Sequence, residues 1–75
     1  MSAFYRYMVE TLYGPDDWKF FSRCNDWEAA VKDFEDASLD GRIAHLLEFD
    51  VNEGTLLREL DAEQVKVRAK KRGEQ

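Results

Sequence analysis

His45 and Cys24 are the side chains best suited to chemistry near neutral pH, and each is the single residue of its type in the 75-residue chain. An imidazole can act as a general base, and a thiolate can act as a nucleophile. Nucleophilic catalysis also needs an orienting group, and no local signature joins these two residues to an aspartate. We therefore predict a structural histidine and no catalytic residue, and we do not expect an enzyme.

Cys24 has two interpretations. It directly precedes a segment that we expect to begin a helix, and the positive end of a helix dipole can lower the pKa of a thiol. A small, inert side chain that fills space in the protein is the interpretation that we prefer.

The chain offers little to a metal ion or a cofactor. One histidine and one cysteine do not form a zinc ligand set. Asp16 with Asp17, or Asp33 with Glu35 and Asp36, could hold calcium weakly, but neither group matches a twelve-residue calcium loop. The four glycines are isolated from one another, so no phosphate-binding loop is present. We predict no metal and no cofactor.

Charge is distributed unevenly along this acidic chain, whose formal net charge is −5. Residues 66–75 contain five basic side chains and one acidic one, and we expect them to form a frayed tail after a single domain, 1–65. The tail could contact phosphate groups of a nucleic acid, but the acidic body would repel that partner. The candidate phosphate contacts are Lys66, Arg68, Lys70, Lys71 and Arg72.

The single cysteine also bears on the compartment. Small secreted domains usually depend on disulfides, and one cysteine cannot form one within the chain. No apolar run approaches the ~20 residues that a membrane-spanning helix requires. A cytoplasmic location without membrane contact is therefore expected.

The first half of the sequence predicts a hairpin followed by a helix. Aromatic and β-branched residues over 4–12 and 18–23 predict two strands joined by a turn at Gly14–Pro15. Asn25 and Glu28 have the spacing of a capping box, and the apolar residues from Trp27 to Phe34 follow helical periodicity. The predicted helix covers 25–38, with Gly41 as its stop signal.

The second half repeats the hairpin. Residues 43–51 could form a helix, but alternation and the following turn at Gly54 favour a strand, with 55–60 as the return strand. Asp61 and Gln64 predict a short C-terminal helix. The predicted fold is therefore α+β in the order β-β-α-β-β(-α): an antiparallel sheet of two hairpins, with the main helix packed on one face.

Large apolar residues exceed what one sheet face requires. The chain has five Phe, three Tyr and two Trp, and alternation places large side chains on both faces. The face without the main helix must be covered by the terminal helix, another chain or a ligand. We predict a small non-enzymatic interaction domain, either a homodimer or a modulator of a larger protein, for which the acidic surface is a second route of interaction. Nucleic-acid binding by the tail and the sheet aromatics is the alternative. The predicted interaction surface comprises Phe4, Met8, Leu12 and Phe21.

Overall fold

The protein is described by a computed structural model that covers residues 5–73, with side chains except at 40 and 70–73. Four strands and two helices follow one another in the predicted order, so the α+β fold is confirmed. A short 3-10 turn, Leu39–Gly41, separates the first helix from the third strand. The elements are β1 (Tyr7–Leu12), β2 (Trp18–Cys24), α1 (Trp27–Ala37), β3 (Ala44–Phe49), β4 (Leu56–Leu60) and α2 (Ala62–Gly73).

The four strands form one antiparallel sheet in the order β2-β1-β3-β4. Each hairpin contributes two neighbouring strands, and the hairpins join where β1 pairs with β3. Residues 44–49 are therefore a central strand rather than a helix. This arrangement leaves β2 and β4 at the edges and places the segments of highest apolar content in the middle.

Turn chemistry sets the two hairpins. In the first, the amide of Asp17 donates to the carbonyl of Gly14 at 3.0 Å, with Pro15 in the second position. Asp16 occupies the third position with φ of 57°, which aspartate tolerates better than most residues. In the second hairpin, Gly54 supplies the left-handed residue with φ of 72°. Both predicted turns are present.

The N-cap of α1 is Asp26, so the prediction that Asn25 caps this helix was wrong by one residue. The Asp26 carboxylate accepts the amide of Ala29 at 3.1 Å. The Asn25 side chain instead accepts the amide of Arg6 at 2.8 Å, because that amide lies beside it where β1 begins. The helix ends at Ala37, and Gly41 with φ of 77° ends the 3-10 turn instead of the helix.

The core lies between α1 and one face of the sheet, which we call the covered face. Val9 and Leu46 from the two central strands are fully buried there, against Ala30 and Phe34 of α1. Val65 of α2 belongs to the same core. Both helices therefore pack on one side, and among the described residues no helix covers the other face.

The start of α2 is a capping box, as the sequence predicts. The amide of Asp61 donates to the side chain of Gln64 at 3.0 Å, and the amide of Gln64 donates to the carboxylate of Asp61 at 2.9 Å. The helix continues to Gly73, so its backbone includes most of the expected tail. Fraying of 66–75 in solution remains a prediction. Neither α1 nor the described part of α2 has the length and apolar character to cross a membrane.

Candidate functional site

The sheet face opposite the helices, which we call the open face, contains most of the large side chains that the core does not use. Cross-strand partners share a face, so the strand register identifies its members. Met8 pairs with Arg23 and Leu47, and Glu10 pairs with Phe20 and His45. The open face comprises Met8, Glu10, Leu12, Trp18, Phe20, Arg23, His45, Leu47, Phe49, Leu56 and Glu59.

An irregularity in β2 changes which aromatic side chains reach this face. The register between β1 and β2 shifts between Val9 and Glu10, and Phe21 is the extra residue. Simple alternation grouped Phe21 with Met8, whereas the register pairs Phe20 with Glu10. A bulge of this kind cannot be read from alternation, because it adds one residue to one strand only.

His45 lies at the centre of the open face, between two carboxylates. Its Nε2 is 2.7 Å from Oε1 of Glu10 on β1, and its Nδ1 is 3.0 Å from Oε1 of Glu59 on β4. The histidine belongs to β3, so this cluster links three adjacent strands.

The two contacts of His45 require a specific number of protons in the cluster. Ionised carboxylates only accept hydrogen bonds, and a neutral imidazole donates only one. Both ring nitrogens of His45 face carboxylate oxygens, so both contacts are hydrogen bonds only when the cluster holds one additional proton. Because both nitrogens are occupied, neither is available to act on a substrate in this arrangement.

Trp18 covers the cluster. Its ring stacks on the imidazole of His45 with centroids 3.7 Å apart and planes 12° from parallel. As a result, His45 is only 7% exposed although it lies on the face without a helix. The indole thus shields one face of the imidazole from water.

Large apolar side chains remain exposed around the covered cluster. Phe20 is 58% exposed and Leu56 is 53% exposed, and both lie on the open face. Phe21, at the irregularity of β2, is 42% exposed. Phe20 and Leu56 lie on the two edge strands, so the exposed apolar groups of this face flank the covered cluster on opposite sides.

The structure places the four predicted surface residues unequally. Met8 and Leu12 are half-buried members of the open face, Phe21 is exposed at the bulge, and Phe4 lies outside the described residues.

Sequence reasoning missed Glu10 and Glu59, whose contacts with His45 join residues 35 and 14 positions apart. Period-two alternation groups Glu10 with Met8 on one face of the strand, but it cannot pair Glu10 with His45.

Cys24 and His45 are not brought together. Cys24 pairs with Tyr7 and packs against the core on the covered face, whereas His45 lies on the open face. Burial raises the pKa of the Cys24 thiol, although its hydrogen bond to the carbonyl of Asp26 opposes that effect. The structure therefore does not support a thiolate activated by the helix, and it favours the inert role.

The basic residues of α2 are partly engaged by the protein itself. Nη1 of Arg68 is 2.9 Å from Oε1 of Glu48, and its guanidinium lies 5.0 Å from the ring centre of Trp27. Lys66 is exposed. The side chains of Lys70, Lys71 and Arg72 lie outside the described part of the structure. Arg68 thus contributes to packing of α2 on the covered face.

Acidic side chains do not converge on a metal site within the described part of the chain. A cleft on the helix side lies beside Trp27, but two of its polar side chains, Asn25 and Asp26, already bind backbone amides. The open face is therefore the stronger candidate site.

Comparisons with family models, with curated proteins and with solved structures found no match for this chain. The function must therefore be argued from the chemistry and geometry of the open face itself.

Proposed function

We propose that this chain is a small, non-enzymatic interaction domain that associates with itself through the open face of its sheet. The observation that carries the proposal is the placement of both helices on the other side, which leaves Phe20 and Leu56 exposed. Removing such surface from water provides about 25 cal/mol per Å² before the costs of association.

The size of the face sets the expected affinity. Four strands spaced about 4.8 Å apart and five to seven residues long offer a flat area of about 400 Å² per copy. Two copies then bury about 800 Å² before surface roughness is counted, which is below the ~1,000 Å² expected of a stable interface and in the range of weak, transient contacts. We therefore expect a weak, rapidly reversible dimer that forms only at high protein concentration.

The chemistry of the face also favours binding over catalysis. His45 has both nitrogens bound to carboxylates and is stacked beneath Trp18. The thiol of Cys24 lies on the opposite side of the sheet. A cytoplasmic location accords with a single cysteine and forms part of the proposal.

Nucleic-acid binding receives less support from the same contacts. Arg68 is engaged by Glu48, and Glu10 and Glu59 bring negative charge to the sheet aromatics that would stack on bases. Backbone phosphates dominate the affinity of nucleic-acid complexes, so this acidic face is poorly suited to them.

Sedimentation velocity over a series of protein concentrations tests the proposal. We expect the wild type to shift from monomer to dimer, and we expect Phe20→Lys to raise the dissociation constant by about tenfold or more, since a charge would enter an apolar contact. Leu39→Lys is the matched control because Leu39 is 61% exposed but lies in the 3-10 turn, outside the sheet. A wild type that stays monomeric at millimolar concentration, or equal effects of both variants, would contradict the proposal.

A further inference from the structure

The strand register arranges charge in a row across the open face. Arg23 of β2, Met8 of β1, Leu47 of β3 and Glu59 of β4 are successive cross-strand neighbours. The row is therefore basic at the β2 edge, apolar in the middle and acidic at the β4 edge.

Both charged ends of this row are accessible. The side chain of Glu59 is 58% exposed although it also contacts His45. Arg23 is exposed, and its guanidinium rests over the rings of Tyr5 and Phe20, 4.4 and 5.8 Å from their centres. The two charges lie at opposite edges of the sheet, with Met8 and Leu47 between them, so the row has a basic end and an acidic end.

The charges of this row match those of a second copy that is turned so that its β2 and β4 edges are exchanged. A two-fold axis parallel to the strands, lying between β1 and β3, places the β2 edge of one copy over the β4 edge of the other. Arg23 then faces Glu59 of the other copy, twice per dimer, and Met8 faces Leu47 in the middle. In the neighbouring row, Glu10 faces His45 of the other copy.

The alternative two-fold axis, perpendicular to the strands and in the plane of the interface, is less favourable. It places β2 over β2 and β4 over β4, so the basic edges meet each other and the acidic edges meet each other. Like charges in close opposition are destabilising, whereas complementary potentials fix the orientation of a complex. Charge thus discriminates between two arrangements that bury the same apolar surface.

We propose that the occupant of the open face is a second copy of this chain, related by the two-fold axis parallel to the strands, with Arg23 of each copy facing Glu59 of the other. This inference rests on the proposed function and adds its geometry. Sheets packed face to face lie about 10 Å apart with strand directions within about 30° of each other. Long arginine and glutamate side chains can meet across that spacing.

Charge reversal in separate and mixed samples tests the arrangement. We expect Arg23→Glu alone and Glu59→Arg alone each to raise the dimer dissociation constant by about tenfold or more, because each dimer then contains two pairs of like charge. An equimolar mixture of the two variants should dimerise as well as the wild type, because both substituted positions then meet opposite charges. Lys32→Glu, on the exposed side of α1, is the control and should dimerise like the wild type.

The outcomes separate the arrangement from the proposed function. Weakened homodimers with no recovery in the mixture, or dimerisation unaffected by either reversal, would overturn the arrangement while self-association stands. A monomeric wild type would overturn both. Melting temperature is measured for each variant, and recovery in the mixture can occur only if both variants are folded, so loss of folding cannot imitate the expected result.

Discussion

The two faces of this sheet are built from the same four strands, yet they bury their side chains in different ways. On the covered face, Val9 and Leu46 are completely inaccessible and belong to a mainly apolar core beneath α1. On the open face, His45 is buried by one indole ring and two carboxylates, and Phe20 next to this cluster is exposed. The first face is therefore buried by a helix, whereas the second is buried only in part, by its own side chains.

The largest test of this comparison uses one phenylalanine from each side. Phe34→Ala removes a buried ring of α1 from the core, and we expect a loss of about 3–5 kcal/mol in the free energy of unfolding. Phe20→Ala removes an exposed ring from the open face, and we expect a loss below about 1 kcal/mol for the monomer. Urea denaturation at a concentration below the dimer dissociation constant measures both. Similar losses would show that the two faces do not differ in the way described.

The covered face was largely predictable from the sequence. Trp27, Ala30, Val31 and Phe34 repeat with helical spacing, and Trp27, Ala30 and Phe34 are buried, while Val31 is half-buried against the core. Alternation from Tyr7 to Thr11 likewise agrees with burial in β1. Periodicity succeeds here because a face packed against a helix is buried at most of its repeats, and buried positions are mainly apolar.

The open face was less predictable, for two physical reasons. The bulge at Phe21 changes the face of its neighbours, and no residue type marks it. The contacts of His45 join three strands whose relative register depends on the whole sheet. Local patterns predict which strands form, whereas pairs across strands depend on how the strands align.

A second test measures how much the stacking of Trp18 on His45 stabilises the open face. We expect Trp18→Ala to cost about 1–2 kcal/mol, since the change removes an aromatic stack and exposes the hydrogen bonds of His45 to water. Tyr13→Ala is the control because Tyr13 is exposed and its ring lies near the cations of Lys19 and Arg42. Thermal and urea denaturation should show a smaller loss for the control. Equal losses would mean that the stack contributes nothing of its own.

Thr11 tests how the covered face tolerates a buried polar group. Its hydroxyl is buried without a hydrogen-bond partner among the described residues. Thr11→Val replaces it with a methyl group of similar shape, and we expect a gain of about 1 kcal/mol in the free energy of unfolding. Thr55→Val, at an exposed position, should give no comparable gain. A loss of stability at Thr11 would indicate that its hydroxyl is satisfied in solution.

Cys24 gives the smallest expected effect on stability and the clearest pH dependence. Burial raises its thiol pKa in the folded protein, so the unfolded chain ionises first as the pH rises. The contribution of the neutral thiol to stability is therefore fully present below the pKa of the unfolded thiol and is lost as the pH rises through the higher pKa of the folded one. Wild type and Cys24→Ala should consequently show a constant difference in urea midpoint near pH 7, and the wild type should lose stability relative to the variant in alkaline solution.

Iodoacetamide should also react more slowly with the folded protein at pH 7.5 than with the same chain in urea, because the thiolate is the reacting form. Faster reaction in the folded state would show that the helix activates this thiol after all, and it would make the covered face, rather than the open one, the place to look for chemistry.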